Sequence, residues 1–298
     1  MISLDNTDAG RVAAAIAEER RHLGAPASGM VLTMLILADE ESQADATAAA
    51  ATAARSHPMR IITLIPRPND PETRLDATVT VGGDLGPGEV VVTRLRGALA
   101  DHANSVAVPL LLPDTPVVAY WPSHAPDVPA EDFIGRHAQR RITDASTADG
   151  PTADLGRRQA GYRPGDTDLA WARLTPWRSL LASVFDQDHG VVKSGSVTGA
   201  ARNPSVHLMA AWLHHCLKVP IELSEDAGPG LTNVTLNTAA GPISLTRPDG
   251  RAATLTRPGA PISTASLPRP ALAALLAEEL RHLDPDDEYG LVLKALPR

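Results

Sequence analysis

The sequence predicts an α/β fold. An N-terminal, mostly parallel, Rossmann-like sheet with helices is followed by a C-terminal α+β domain with a mostly antiparallel sheet. Three observations carry this. Two continuous apolar runs of strand length, MVLTMLILA (30–38) and MRIITLIP (59–66), flank an Ala-rich stretch with acids in its first turn (39–57). That is the pattern of a βαβ unit whose strands are buried on both faces, with a right-handed crossover. A third run, PVVAYW (116–121), reads as another buried strand. Beyond residue 188, short alternating segments punctuated by Gly, Pro and Asp read as antiparallel strands.

The elements follow in order. Residues 8–23 form a helix with Val12, Ile16 and Leu23 on one face and Gly24 as a stop, and GAPASG is a linker. DATVTVGG (76–83) and EVVVTRLRG (89–97) alternate apolar and polar residues, as strands nearer the sheet edge joined by GGDLGPG. ALADHANSVAVPLLL begins helical and becomes extended. QRRITDAS (139–146) is a short strand. Residues 152–187 are helical with one break at RPGDTD, and Thr175-Pro176 signals a helix start, Thr as N-cap and Pro at the first helical position. VVKSGSVTG (191–199) is a strand, and Asn203-Pro204 opens a helix over 204–217. Its apolar arc carries Val206, Leu208, Met209, Trp212, Leu213, Cys216 and Leu217; His207, His214, His215 and Lys218 lie opposite. PIELS, LTNVTLN, PISLTRP and RAATLTRP are strands, RPDGR is a hairpin turn, 270–283 is a helix, and GLVLKAL closes the chain as a strand. The expected division is 1–150, a helical connector over 151–187, and 188–298.

Composition excludes several function classes. The net charge is −8 and there is no run of Lys and Arg, which argues against a nucleic-acid partner. No apolar run reaches the ~20 residues that span a bilayer, and the acidic opening carries no secretory signal. Cys216 is the one cysteine, so no disulfide forms within the chain, as suits a cytoplasmic protein.

The local signatures of catalysis are silent. The first buried strand runs into Asp39 without G-x-G-x-x-G, and G-x-x-x-x-G-K-[ST] is missing. GGDLGPG joins two strands instead of opening a helix, which makes it a plain turn. His207 and His214 share a helix face but stand roughly 10 Å apart along the axis, too far to share one ion. G-x-S-x-G and S-x-x-K do not occur, and Cys216 on an apolar arc is a packing residue. Asp166 and Asp168 can serve as an acid–base pair, but helix capping suits their position better. No catalytic residue, metal or cofactor is assigned.

The most informative stretch runs from Tyr120 to Phe185. The chain has nine aromatic side chains, and seven fall here: Tyr120, Trp121, Phe133, Tyr162, Trp171, Trp177 and Phe185. Arg136, Arg140, Arg141, Arg173 and Arg178 are interleaved. Trp, Tyr and Arg carry much of the energy of protein interfaces, whereas any single Trp is more often core.

The segments PLLLPDTPVVAYWPSHAP, RRITDAS and DLAWARLTPWRSLLASVFD closely resemble the glucose-6-phosphate dehydrogenase assembly protein family, OpcA. VLTMLILADEES, HPMRIITLI and NPSVHLMAAWL extend the resemblance over nearly the whole chain. The resemblance implies a non-catalytic activator that binds glucose-6-phosphate dehydrogenase and supports the oxidative pentose phosphate pathway. Thiol redox control, linked to some cyanobacterial members, does not carry over to a chain with Cys216 alone. The residues expected to form or support the partner-binding surface are Tyr120, Trp121, Arg140, Arg141, Asp144, Asp168, Trp171, Arg173, Trp177 and Arg178. The competing reading makes the tryptophans core and the Arg–Asp contacts internal. A different class of function, a small-molecule enzyme or sensor, would hold a sugar phosphate or nucleotide on Arg140 and Arg141 at the strand ends near Tyr120.

Overall fold

A computed structural model describes residues 1–23, 29–82, 88–185 and 190–297. The linker at 24–28 and most of the GGDLGPG segment (83–87) lie outside the described residues.

The first sheet is built from β1 (Ile2–Thr7), β2 (Leu32–Leu37), β3 (Met59–Arg67), β4 (Arg74–Val81), β5 (Glu89–Arg96), β6 (Val117–Tyr120), β7 (Arg140–Thr143) and β8 (Asp166–Asp168). Its order is β1-β4-β5-β3-β2-β6-β7-β8. The pairs β2–β3, β2–β6, β3–β5 and β6–β7 are parallel, and β1–β4 and β4–β5 are antiparallel. The central strands β2 and β3 are apolar along their length because both faces are covered, and Met34, Ile36, Ile61 and Ile62 are fully buried. β4 and β5 alternate buried and half-buried positions, as strands covered on one face do. β5 nevertheless lies inside the sheet, between β4 and β3. The edge on this side is β1, a strand too polar to be read from sequence.

Helix α1 (Ala9–His22) starts on Asp8, whose carboxylate accepts the Arg11 N–H. Helix α2 (Gln43–Ala53) packs with small Ala faces, and Ala46, Ala50 and Ala53 are buried. Glu89, at the start of β5, is 1% exposed and is held by Arg20 of α1 and Arg60 of β3. Burying that carboxylate is tolerable only because both guanidiniums answer it. Residues 103–107 form the short helix α3 (Ala103–Ala107), and a 3-10 turn follows at Val108–Leu110 instead of the expected extended segment.

Helices α4 (Pro151–Gly161), α5 (Leu169–Ala172) and α6 (Thr175–Phe185) follow. Thr175 is not an N-cap: Arg178 N–H donates to the Leu174 carbonyl, so the helical turn begins before it. The second sheet comprises β9 (Val192–Ala200), β10 (Ile221–Asp226), β11 (Leu231–Thr238), β12 (Gly241–Thr246), β13 (Ala252–Thr256) and β14 (Ser263–Ser266), in the order β10-β9-β11-β12-β13-β14. Only β9–β10 is parallel. Its crossover is α7 (Pro204–Leu217), capped by Asn203 with Pro204 at the first position, as its sequence specifies. Leu208, Met209 and Leu213 of α7 are buried, each contributing ~1.5–3 kcal/mol. Cys216 is exposed, not packed, since it sits on the last turn beyond the covered face. Helix α8 (Leu272–Glu279) follows, and GLVLKAL lies in helix α9 (Asp287–Ala295), not in a strand. Asp286 decides this by capping it: its carboxylate accepts the Tyr289 N–H.

The chain forms two units that interleave along the sequence. One contains Met1–Asp144, Gly165–Thr167 and Ala271–Pro285; the other contains Ala145–Pro164, Asp168–Pro270 and Asp286–Arg298. No cut at 150 or 187 separates them. Each has its own core, around Ile62, Leu64, Val91 and Trp121 in the first and around Trp171, Trp177, Met209 and Leu236 in the second.

Candidate functional site

The ten residues singled out from sequence divide between the two units. In the first, Tyr120 ends β6 and Trp121 follows it; both are 1% exposed. Trp121 is pinned by its backbone N–H to the Ile142 carbonyl (3.0 Å). Arg140 and Arg141 are adjacent on β7 and, by strand alternation, point to opposite faces. Arg140 meets Glu279 of α8 through Nε and Nη2, and its Nη1 donates to the Asp284 carbonyl (2.8 Å). Arg141 meets Asp166 through Nε and the Ala138 carbonyl through Nη1 (2.8 Å). Asp144 is buried where β7 ends.

In the second unit, Asp168 is fully buried and spends its carboxylate on backbone N–H groups: Ala170 (2.8 Å), which makes it the cap of α5, and Ala145 (3.0 Å). Asp166 and Asp168 therefore serve an ion pair and a cap, not one acid–base pair. Trp171 donates its indole N–H to Asp286 (2.8 Å), and the Arg178 guanidinium lies 3.7 Å from the Trp171 ring centroid. Arg178 also reaches Glu288 (3.0 Å), which accepts from the Trp212 indole (2.7 Å). The start of α9 is thus gripped by two indoles and one guanidinium. Trp177 is buried beneath the Arg247 guanidinium, 5.0 Å from its ring centroid. Arg173 is half-buried and donates to the Ser146 hydroxyl (3.2 Å).

Eight of the ten are buried, and the half-buried pair, Arg173 and Arg178, sits on the second unit. Sequence reading missed their acidic partners Glu279, Asp286 and Glu288, each more than 100 residues away along the chain. No local signal pairs residues so far apart.

The strand ends of the first sheet were the expected place for a small ligand. The strand order reverses between β2 and β6, and the crevice outside the carboxyl ends at such a reversal is where open sheets of this kind usually meet a ligand. The chain's own carboxylate occupies that place. Asp39 follows β2 and accepts from the Ser42 N–H (2.7 Å), the Ser42 hydroxyl (2.7 Å) and, across the crevice, the Ser123 hydroxyl (2.9 Å). Partial burial pushes the Asp39 carboxyl up, but these hydrogen bonds and His124 together hold it below its ordinary value. An anion arriving at the start of α2 would meet a carboxylate already there. Beside it, Glu40 binds Arg94 and Arg67. Among the described residues no group of three His, Cys, Asp or Glu side chains is placed to hold a metal ion, and no helix is long and apolar enough to cross a membrane.

Comparisons with known proteins bear on the family and the fold. Residues 50–160 match the model for the N-terminal domain of a glucose-6-phosphate dehydrogenase subunit, and residues 164–293 match that for its C-terminal domain. A curated protein of Synechocystis sp., named an OxPP cycle protein OpcA, is 31% identical over 146 residues; the match spans 45% of this chain and 30% of that protein's length. The chain therefore matches less than a third of this curated relative. Among solved structures, KijD10, a 3-ketoreductase from Actinomadura kijaniata solved with NADP, aligns with a TM-score of 0.50 at 10% identity, over 89% of this chain and 94% of that one. At that identity the likeness is one of fold, a Rossmann-like sheet followed by an antiparallel one. The two domain matches together span most of the chain, and with them the chain belongs to the OpcA family of glucose-6-phosphate dehydrogenase subunits.

Proposed function

We propose that this chain is a non-catalytic assembly partner of glucose-6-phosphate dehydrogenase that binds the enzyme, favours its active form and so supports the oxidative pentose phosphate pathway in the cytoplasm. The observation that carries the reading is that the family match runs through both units. The non-catalytic part draws on the crevice between β2 and β6, where Asp39 takes up the N–H and hydroxyl donors that a nucleotide phosphate would need.

The ten aromatic, arginine and aspartate residues act mainly by supporting the docking surface. Buried side chains cannot touch a partner, but they fix the elements that do. Arg173 and Arg178 are the half-buried members; Arg178 is committed to Glu288 and the Trp171 ring, so Arg173 is the member whose charge would draw a partner carboxylate. To shift the dehydrogenase a hundredfold toward its active form, the chain must bind that form ~2.7 kcal/mol more tightly than the other. A few well-packed interface residues supply that much.

The test is NADPH production by the same organism's dehydrogenase with and without this chain. A rise in rate, with no turnover by this chain alone, is expected. Arg173→Ala should weaken complex formation at equal folded fraction. Unchanged turnover together with no complex by size exclusion would overturn the reading.

A further inference from the structure

The second unit holds a recessed cavity of about 220 Å³. It is lined by Arg173, Trp177, Asn203, Gly230, Arg247 and Arg269, among others. It adjoins a wider cleft of about 470 Å³ that shares Arg173, Asn203 and Arg269 and adds Arg202. Four arginines therefore converge on one concavity of a chain whose net charge is −8.

The arginine at the base is unusual. Arg247 is 4% exposed. Its Nη1 donates to the Leu267 carbonyl (3.1 Å) and its Nη2 to the Leu231 carbonyl (3.0 Å), while its Nε has no partner among the described residues. Carbonyls orient a guanidinium without neutralising it. No carboxylate among the described residues makes a hydrogen bond or ion pair with Arg247. The nearby acid, Asp249, is engaged with the N–H groups of Arg251 and Ala252 (2.8 and 3.0 Å). Burial, and then repulsion from Arg269, push the Arg247 guanidinium below its ordinary value, against the weaker pull of Asp249.

A buried cation is costly unless an opposite charge answers it. Every other deeply buried arginine described above, Arg60, Arg140 and Arg141, has its own carboxylate. Arg247 instead faces a cavity, with a second guanidinium close by. The geometry keeps both in place. Arg247 is fixed over the Trp177 ring, and the Arg269 guanidinium carbon lies 3.9 Å from where a side chain on Gly230 would begin. Gly230 has φ +80° and leaves the wall open at that point.

We propose that this cavity binds a small phosphomonoester, its phosphate held by Arg247 and Arg269 with Arg173 at the rim. A dianionic phosphate supplies two charges and three acceptor oxygens, enough to answer two guanidiniums at once, which a single carboxylate cannot. The cavity's size suits a phosphate with a small organic group, and the adjoining cleft gives that group a way out to solvent. The helix α7 begins at the same wall, but Asn203 already takes the Ser205 and Val206 N–H groups. That helix end adds a favourable field and no donors.

The test is calorimetric titration of the full chain, with no dehydrogenase present, so its outcome is independent of the partner reading. The probes are inorganic phosphate, a hexose 6-phosphate, the unphosphorylated hexose and an acidic peptide. Both phosphates are expected to bind, and the hexose and the peptide are not. Arg269→Gln, at an exposed position, should weaken binding about tenfold, the worth of one charge-assisted hydrogen bond. The Tm of the unliganded variant should not change. Arg247→Gln should abolish binding, and circular dichroism reports whether that variant folds. Absence of heat with either phosphate at about 10 mM, equal affinity in Arg269→Gln, or binding of the acidic peptide in preference to both phosphates would each overturn the proposal.

Discussion

Replacing Glu279 by Ala should release the segment 271–285 from the unit it belongs to. Glu279 and Arg140 are each 5% exposed, and Glu279 takes two N–H groups of the Arg140 guanidinium. Removing the carboxylate leaves Arg140 buried, with the Asp284 carbonyl as its remaining acceptor among the described residues. Breaking a buried pair from one side costs ~3–5 kcal/mol, which is about two to four powers of ten in an opening equilibrium. The assay is amide hydrogen exchange read peptide by peptide, because a chain with two units need not unfold in one step. Peptides from β7 and α8 should lose protection by that factor, while those from β11 and β12 keep theirs. The double variant Arg140→Met/Glu279→Leu should restore most of it, since a well-packed apolar pair has no desolvation penalty to recover. A loss under ~1 kcal/mol in Glu279→Ala, the worth of a surface ion pair, would refute the reasoning. So would a double variant as unstable as the single one.

Three further outcomes are expected. Trp171→Phe removes the indole donor to Asp286 and should destabilise by ~1.5–3 kcal/mol, read as a lower urea midpoint; an unchanged midpoint would mean water replaces the bond without loss. Gly165→Ala should severely impair folding, because φ is +96° and the new Cβ would stand 2.4 Å from the Gln139 carbonyl oxygen; soluble expression with a normal Tm would contradict the geometry. Asp132 is raised by burial, against hydrogen bonds from the Ile134, Gly135 and Phe133 N–H groups. A carboxyl raised in the folded state binds its proton more tightly there, so the protein gains stability as pH falls through the folded value toward the unfolded one, ~4. Asp132→Asn should lack that gain, and equal slopes of stability against pH in the two proteins would rule the shift out.

The features legible from residue order alone are those that short-range physics controls. Two strands buried on both faces must be apolar throughout, so β2 and β3 were legible as uninterrupted runs. A helix end must answer its own N–H groups, so Asn203-Pro204 marked the start of α7. Where local signals were weak or ambiguous, they misled. β1 is a polar edge strand, and GLVLKAL is apolar enough for a strand but follows the Asp286 cap. The crowding of Trp and Arg between Tyr120 and Phe185 was visible as composition, yet its meaning was not. An arginine beside a tryptophan looks the same in sequence whether its carboxylate lies on a partner or 139 residues further along the same chain, as for Arg140 and Glu279. Tertiary packing is what sets Asp39 against Ser123 at the strand ends and buries Arg247 with no carboxylate among the described residues against it. The reason is physical: the cost of burying a charge depends on what is packed around it, and packing joins residues that the chain keeps far apart.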